Sequence, residues 1–261
     1  MQFSGCCRTI LILTELMGTF LGIISQGTST NDRAMFAMVD SRYPDDFEKC
    51  FLGNYSGVVK PSHCAHYCSL YERCHLFCIT TDACRLYEAR VSRHWKGISG
   101  APPSAMICFS SWGSAKDAAS SATIAASDSN WNGRGLKEMA VNGYTCYDEY
   151  GYAYASLGVN KSWWSANLGT VRKVASVRVF TRQQNLYASK FKNVEVRVGY
   201  SDPRNGNFTD NALLGFYEGE APQKTTIYFV AERPIKGSVV SIQSLELNYP
   251  LVLSDVQILY V

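Results

Sequence analysis

The feature that most constrains this chain is the period-two alternation that fills its C-terminal half. "VASVRVFT" (174–181) and "NVEVRVGYS" (193–201) place β-branched residues on one face and Arg or Glu on the other, the pattern of half-buried strands. "KTTIYFVAE", "GSVVSIQS" and "LVLSDVQILYV" continue it. Turn signals at 202–206 (DPRNG) and 235–237 (IKG) separate the runs. No helical segment of comparable strength intervenes and no internal repeat is visible. Closely spaced strands over 114–261 predict a mainly β fold whose C-terminal part is a β-sandwich or jelly roll.

A second chemistry precedes it. Of ten cysteines, Cys6 and Cys7 lie in an apolar N-terminal run. Seven more, Cys50, Cys64, Cys68, Cys74, Cys78, Cys84 and Cys108, crowd into one block, and Cys146 stands alone. The run itself, Arg8 followed by "TILILTELMGTFLGIIS" and small residues near Gly27, has the layout of a secretory signal, so 1–27 is expected to be one. Glu15 within it disfavours a membrane anchor. Sequons at Asn54, Asn160 and Asn207 agree with export. A dense cysteine block in an exported chain predicts disulfides.

In "PSHCAHYCSLYERCHLFCITTDACRLYEARVS", Pro61 and Ser62 read as a helix start. Cys64 and Cys68 then share one helical face, as a helix stapled to a hairpin requires. Cys50 and Cys108 flank the block and could clamp its ends together. His63, His66 and His75 interleave with the thiols, but the spacing lacks the tight Cys-x2-Cys of a zinc knuckle. A leading Cys, a helix with Cys-x3-Cys, "CRLYEA" and a closing "MICFSS" resemble the PAN/apple module. That resemblance implies a small antiparallel sheet cradling one helix over 34–110, in a family that binds proteins or glycans. The segment 113–127 is small and polar and reads as a linker merging into the first strand of the next region.

Over 114–261, "MAVNG…SWWSANLGTVRKVASVRVFTR…FKNVEVRVGYS…LSDVQILYV" resembles the discoidin, or coagulation-factor type C, fold. The resemblance implies that the adjacent Trp163 and Trp164, spaced from the Leu168-Gly169 corner, are packing rather than a binding platform. Among discoidin branches, "RVFTR" followed by "NVEVRVG" is similar to the F-type lectins (fucolectins). In that family a histidine and two basic residues hold fucose. Arg182 falls on the first basic position, Lys190 one residue beyond the second, and Asp148 where the histidine would be. Leu186 and Tyr187 replace the family's cysteine pair. Asp148, Arg182 and Lys190 are therefore the candidate carbohydrate residues, since carboxylate and cation together can serve a polyol. Tyr147, Tyr150, Tyr152 and Tyr154 would be strand packing or a stacking surface beside them.

The resemblance also implies a calcium site, eroded in this chain. Here Met139 and Asn142 stand where the family has ligands, and Asp255 matches its terminal acidic ligand, so Asn142 and Asp255 are the candidate metal residues. The family's partner for Cys146 is replaced by Ser254. With seven thiols in the first region, a bridge between regions, an intermolecular bridge and two free thiols all remain open.

Catalytic signatures are absent: no Gly-x-Ser-x-Gly, no His-Glu-x-x-His and no phosphate-cradling glycine loop. A net charge of +3 with scattered Lys and Arg argues against nucleic acid. Membrane-surface binding is not expected, for want of apolar loop tips and a basic patch. The chain is thus expected to be a secreted recognition protein for glycans or glycoproteins, with other extracellular proteins as further partners. The alternative is an interaction protein with a vestigial sugar cleft.

Overall fold

The computed structural model describes residues 36–39, 44–57, 60–95, 106–128, 135–146, 153–203 and 205–261. The expected signal segment lies outside them. Among the described residues no helix is long and apolar enough to cross a membrane.

In the N-terminal region, β1 (Ala37–Val39), β2 (Phe51–Ser56), β3 (Leu76–Ile79), β4 (Ala83–Tyr87) and β6 (Ile107–Ser110) form an antiparallel sheet in the order β1-β6-β3-β4-β2. Helix α1 (Pro61–Ser69) starts with Pro61 in its first turn, where a missing N–H costs nothing. Cys64 and Cys68 form its buried face. Their partners diverge: Cys64 bridges to Cys84 on β4, and Cys68 closes a short loop to Cys74. Cys78 and Cys108 are directly opposed on β3 and β6 and are bridged. Cys50 is bridged to Cys146. The clamp imagined between Cys50 and Cys108 is therefore wrong. The strand register pairs Cys108 with Cys78, which leaves Cys50 for the one cysteine beyond the block.

The C-terminal region is built on two long strands, β10 (Trp163–Phe180) and β13 (Thr226–Ser244), which pair antiparallel in two stretches. Residues 163–167 of β10 face 239–243 of β13, and 172–180 face 226–237, with register breaks between. Gly169 sits in the larger break at φ +70°, a conformation glycine adopts without a Cβ penalty. The first stretch extends on one side through β11 (Lys192–Gly199) to β12 (Ala212–Glu220), and on the other to β7 (Thr123–Ala126). The second stretch adds β15 (Asp255–Tyr260). The short strands β9 (Tyr154–Ala155) and β14 (Val252–Leu253) pair with each other. One long strand pair thus serves both layers of a sandwich. Trp164, Ala166, Val196 and Ile242 from one layer meet Val177, Val179, Phe229, Val256 and Ile258 from the other in a single core. The fold is mainly β, as the alternation predicts.

Both tryptophans are architecture. Trp164 is fully buried and its indole N–H donates to the Lys137 carbonyl at 3.0 Å. Trp163 is buried edge-on against Phe208, with the Gly206 backbone pressed onto its ring. Burial of such area is the largest single hydrophobic contribution a side chain makes.

Of 113–127, the strand expected at its end is β7, but the part before it is not a linker. Ala118 and Ala119 are buried, and the Asp117 carboxylate accepts the amides of Ala119 and Ile258 at 2.9 and 3.0 Å. Small residues are needed here for close packing against β15, not for flexibility. The two regions also share contacts. The short strands β5 (Arg90–Val91) and β8 (Tyr144–Thr145) pair, and Tyr144 and Cys146 complete the N-terminal core. Residues 34–261 form one compact unit.

Candidate functional site

Strand β10 ends at Phe180, and Thr181 anchors the loop beyond it. The Thr181 hydroxyl donates to the Pro222 carbonyl at 2.7 Å, and its backbone and side chain exchange bonds with Thr225. Arg182 therefore enters the loop from a fixed point. Its carbonyl accepts the Lys224 amide at 2.9 Å, and its guanidinium lies 5.6 Å from the centre of the Tyr187 ring. The side chain of Gln183 donates to the Cys146 carbonyl at 3.0 Å. The loop then makes the single helical turn α2 (Asn185–Ala188), and Phe191 returns it to the core.

Lys190 leaves α2 with its ammonium 4.5 Å from the centre of the Tyr249 ring. Lys192 lies 5.6 Å from the same ring and pairs with Glu220 at 3.5 Å. A cation held over an aromatic face is stabilised by the ring quadrupole. Arg182 is recessed at 6% exposure, whereas Leu186 on α2 is 68% exposed. The turn thus presents an apolar tip between two cation–aromatic pairs. Asp148 lies outside the described residues, as do Tyr147, Tyr150 and Tyr152. Its near neighbour Cys146 is the residue bonded to Gln183. Tyr154 is fully buried, its hydroxyl donating to the Asp128 and Trp163 carbonyls, so its role is packing.

The calcium candidates do not fit a cation. Asp255 is buried, accepts the Trp112 indole N–H and has the Gly143 amide against it. Burial, reinforced by Asp117, pushes its carboxyl well above the usual carboxylate range, which favours the neutral acid. The side-chain oxygen of Asn142 accepts the Tyr144 amide at 2.9 Å, and its nitrogen faces the Met139 sulfur. Each candidate already serves the fold, and calcium wants six or more free oxygens. Among the described residues no group of three His, Cys, Asp or Glu side chains could hold a metal. The cysteines beside His63, His66 and His75 are committed to bridges, and His75 is engaged by Arg90 at 2.7 Å. Burial, then the Arg90 charge, pushes the His75 imidazole down to about 3.

The sequence gives no notice of Glu88, Lys224 or Tyr249. Lys224 shows no signal except its place in a turn, and Glu88 reads as an ordinary strand residue. The expectation that no apolar loop tip is exposed is corrected. Leu157, Val159 and Leu247 are exposed on two loops joined by the Asn248 amide to the Asn160 carbonyl at 2.9 Å. The sequons at Asn54, Asn160 and Asn207 all sit at exposed positions.

No family model and no curated protein matches the sequence. Among solved structures, the chain is similar to a fucose binding module of Streptococcus pneumoniae at 16% identity and TM-score 0.45, covering 56% of this chain and 98% of that one. It is similar to an f-lectin (fucolectin) from the serum of Morone saxatilis, striped bass, at 16% identity and TM-score 0.48. That match covers 69% of this chain and 57% of the fucolectin, little more than half its length. A family 32 carbohydrate-binding module from C. perfringens NanJ, solved with galactose, is similar at 15% identity and TM-score 0.42, over 55% of this chain and 97% of that one.

Proposed function

We propose that this chain is an extracellular recognition protein whose C-terminal sandwich, discoidin-like and similar in motif to the F-type lectins, binds glycans or glycoproteins. In this reading the disulfide-rich region is a PAN/apple-like module, and the protein is a binder rather than a catalyst. The observation that carries it is the gathering of the basic residues singled out by motif. Arg182 and Lys190 flank the single turn of α2, each laid on an aromatic ring, and the side chain between them, Leu186, is open to solvent. Gln183 ties that turn to Cys146, two positions before Asp148. Directional donors beside aromatic and aliphatic surface suit a sugar, whose hydroxyls need donors and whose C–H face needs an apolar partner.

A glycan array of the secreted protein, run with calcium and with chelator, tests this reading. Binding that persists in chelator is expected. Arg182→Ala and Lys190→Ala should each weaken it by about 10–100-fold, the loss of one charge-assisted hydrogen bond. A protein that retains its fold and binds no glycan at millimolar ligand would replace this reading with that of an interaction protein.

A further inference from the structure

The rim that carries Arg182 is closed into a circuit by the disulfide-rich region. Cys50 is bridged to Cys146, whose carbonyl accepts the Gln183 side chain. Arg182, the next residue back, accepts the Lys224 amide at 2.9 Å. The Lys224 ammonium pairs with Glu88 at 3.5 Å, and the Glu88 amide returns to the Cys50 carbonyl at 2.8 Å. Two hydrogen bonds thus tie the Arg182 loop to Cys146 and Lys224, which are joined to the neighbouring Cys50 and Glu88 of the N-terminal region, one by a disulfide and one by an ion pair. Arg73 holds the other oxygen of Glu88, so the carboxylate is fixed before Lys224 reaches it.

Lys224 itself is informative. It occupies the left-handed region at φ +55°, where a residue with a Cβ is disfavoured and glycine is the inexpensive choice. A strained non-glycine residue points to a side chain that matters. Here the backbone of Lys224 supports Arg182 while its side chain grips Glu88. Its side chain is 38% exposed, so the ion pair contributes little to global stability. Orientation of one loop is a task such a pair can perform without being needed for folding.

We propose that Glu88 and Lys224 are positioning residues of the candidate ligand site, and that the disulfide-rich region is one wall of that site rather than a neighbouring module. The claim about the loop stands on the geometry alone; the claim about the ligand rests on the glycan reading above. Glu88 acts through Lys224 on Arg182, and the Cys50–Cys146 bridge acts through Gln183. Neither has to touch a sugar.

The test uses the full secreted protein as wild type, Lys224→Gly, Lys224→Arg and Glu88→Gln. Hydrogen exchange is measured on residues 181–191 and on the 224 amide, thermal melting is recorded, and retention on immobilised mucin is scored. Lys224→Gly removes the grip and also relieves the backbone strain, so its melting temperature should hold or rise. Exchange in 181–191 should nonetheless quicken by about tenfold, the scale of one lost charge-assisted contact. Glu88→Gln, which also loses the Arg73 pair and with it some global stability, should quicken exchange in 181–191 likewise; Lys224→Arg should restore wild-type exchange, and mucin retention should fall with loop protection. Unchanged exchange in both Lys224→Gly and Glu88→Gln overturns the positioning role. So does quickening in Lys224→Gly accompanied by a fall in its melting temperature, which would make the pair merely structural. Unchanged mucin retention on a loosened loop overturns the wall. If wild type binds neither mucin nor any array glycan, the glycan reading falls, and exchange alone then decides the positioning role.

Discussion

Replacing Cys50 and Cys146 together by alanine should cost about 4 kcal/mol, nearly all of it through the unfolded chain. The two positions are 96 residues apart, but the loop closed in the unfolded state is shorter, because other bridges lie inside it. The shortest route runs from 50 to 64, crosses to 84, returns to 78, crosses to 108 and continues to 146. That is about 60 residues, for which the loop-closure relation gives about 4.3 kcal/mol, against about 4.7 for the uninterrupted stretch. Both cysteines are buried in one cluster with Phe47, Tyr87, Trp95 and Tyr144, so alanine, which brings no unpaired hydroxyl into that core, leaves the unfolded-state term dominant. For a compact unit of this size the loss should lower the melting temperature by about 8–16 °C. Urea denaturation of the double variant should show a lower midpoint and a steeper dependence on denaturant, because the released chain exposes more surface. Non-reducing peptide mapping of wild type should recover a peptide linking 50 to 146. A loss below about 1 kcal/mol with an unchanged slope would refute the loop-entropy reasoning, and an alkylatable Cys146 in wild type would refute the bridge itself.

Three further outcomes are expected from the same geometry. Trp164→Ala, which empties a fully buried site and strips the Lys137 carbonyl of its indole donor, should cost about 3–5 kcal/mol and depress secretion. A variant that folds normally and loses only ligand binding would overturn the packing role. Gly143→Ala should cost about 2 kcal/mol or more by chemical denaturation, because φ is +75° and an added Cβ would lie 2.0 Å from Ser92 Oγ; a neutral result would show that the β5–β8 junction can yield. For Glu88, burial pushes the carboxyl up, but Arg73 and Lys224 outweigh it and hold it below its ordinary value of 4.5. A depressed folded value means stability present above 4.5 and lost as pH falls through the folded value. The melting-temperature gap between wild type and Glu88→Gln should therefore be flat above about pH 5 and shrink below 4.5. The comparison cancels Asp117 and Asp255, whose own raised values act in both proteins.

The sandwich was legible because period-two alternation is a local signal: Val194, Val196 and Val198 all turn to one core, as their spacing requires. The tryptophans were legible for a related reason, since a bulky pair beside a Leu-Gly corner has few places to go but inward. Pairing of the cysteines was not legible. Cys78 meets Cys108 only because β3 lies beside β6, an arrangement set by sheet order rather than by spacing. The polar small-residue stretch before β7 misled for the opposite reason. Ala118 and Ala119 look like linker, yet small side chains are also what permit a backbone to approach β15 closely.

The candidate site divides in the same way. Arg182 and Lys190 could be singled out because the motif that the resemblance implies is short and follows a strand, and the two lie on either side of a single helical turn. Glu88 lies nearly a hundred positions away and reaches the rim only after the sheet of one region has docked on the sandwich of the other. Docking of this kind depends on buried polar contacts as much as on apolar area. Arg90 illustrates it: 4% exposed, its guanidinium lies 3.6 Å from the centre of the Phe180 ring while also engaging His75. A guanidinium withdrawn from water so completely is costly unless every neighbour is in place. That cost makes the relative placement of β5 and the end of β10 specific, because a shift of a few ångströms would strip Arg90 of its Phe180 contact. Phe180 is two residues before Arg182, so whatever fixes Phe180 also fixes the entry to the loop. The position of the candidate rim is thereby a property of the joined regions, and a sandwich expressed from 114 onward would carry Arg182 and Lys190 without the contacts that orient them.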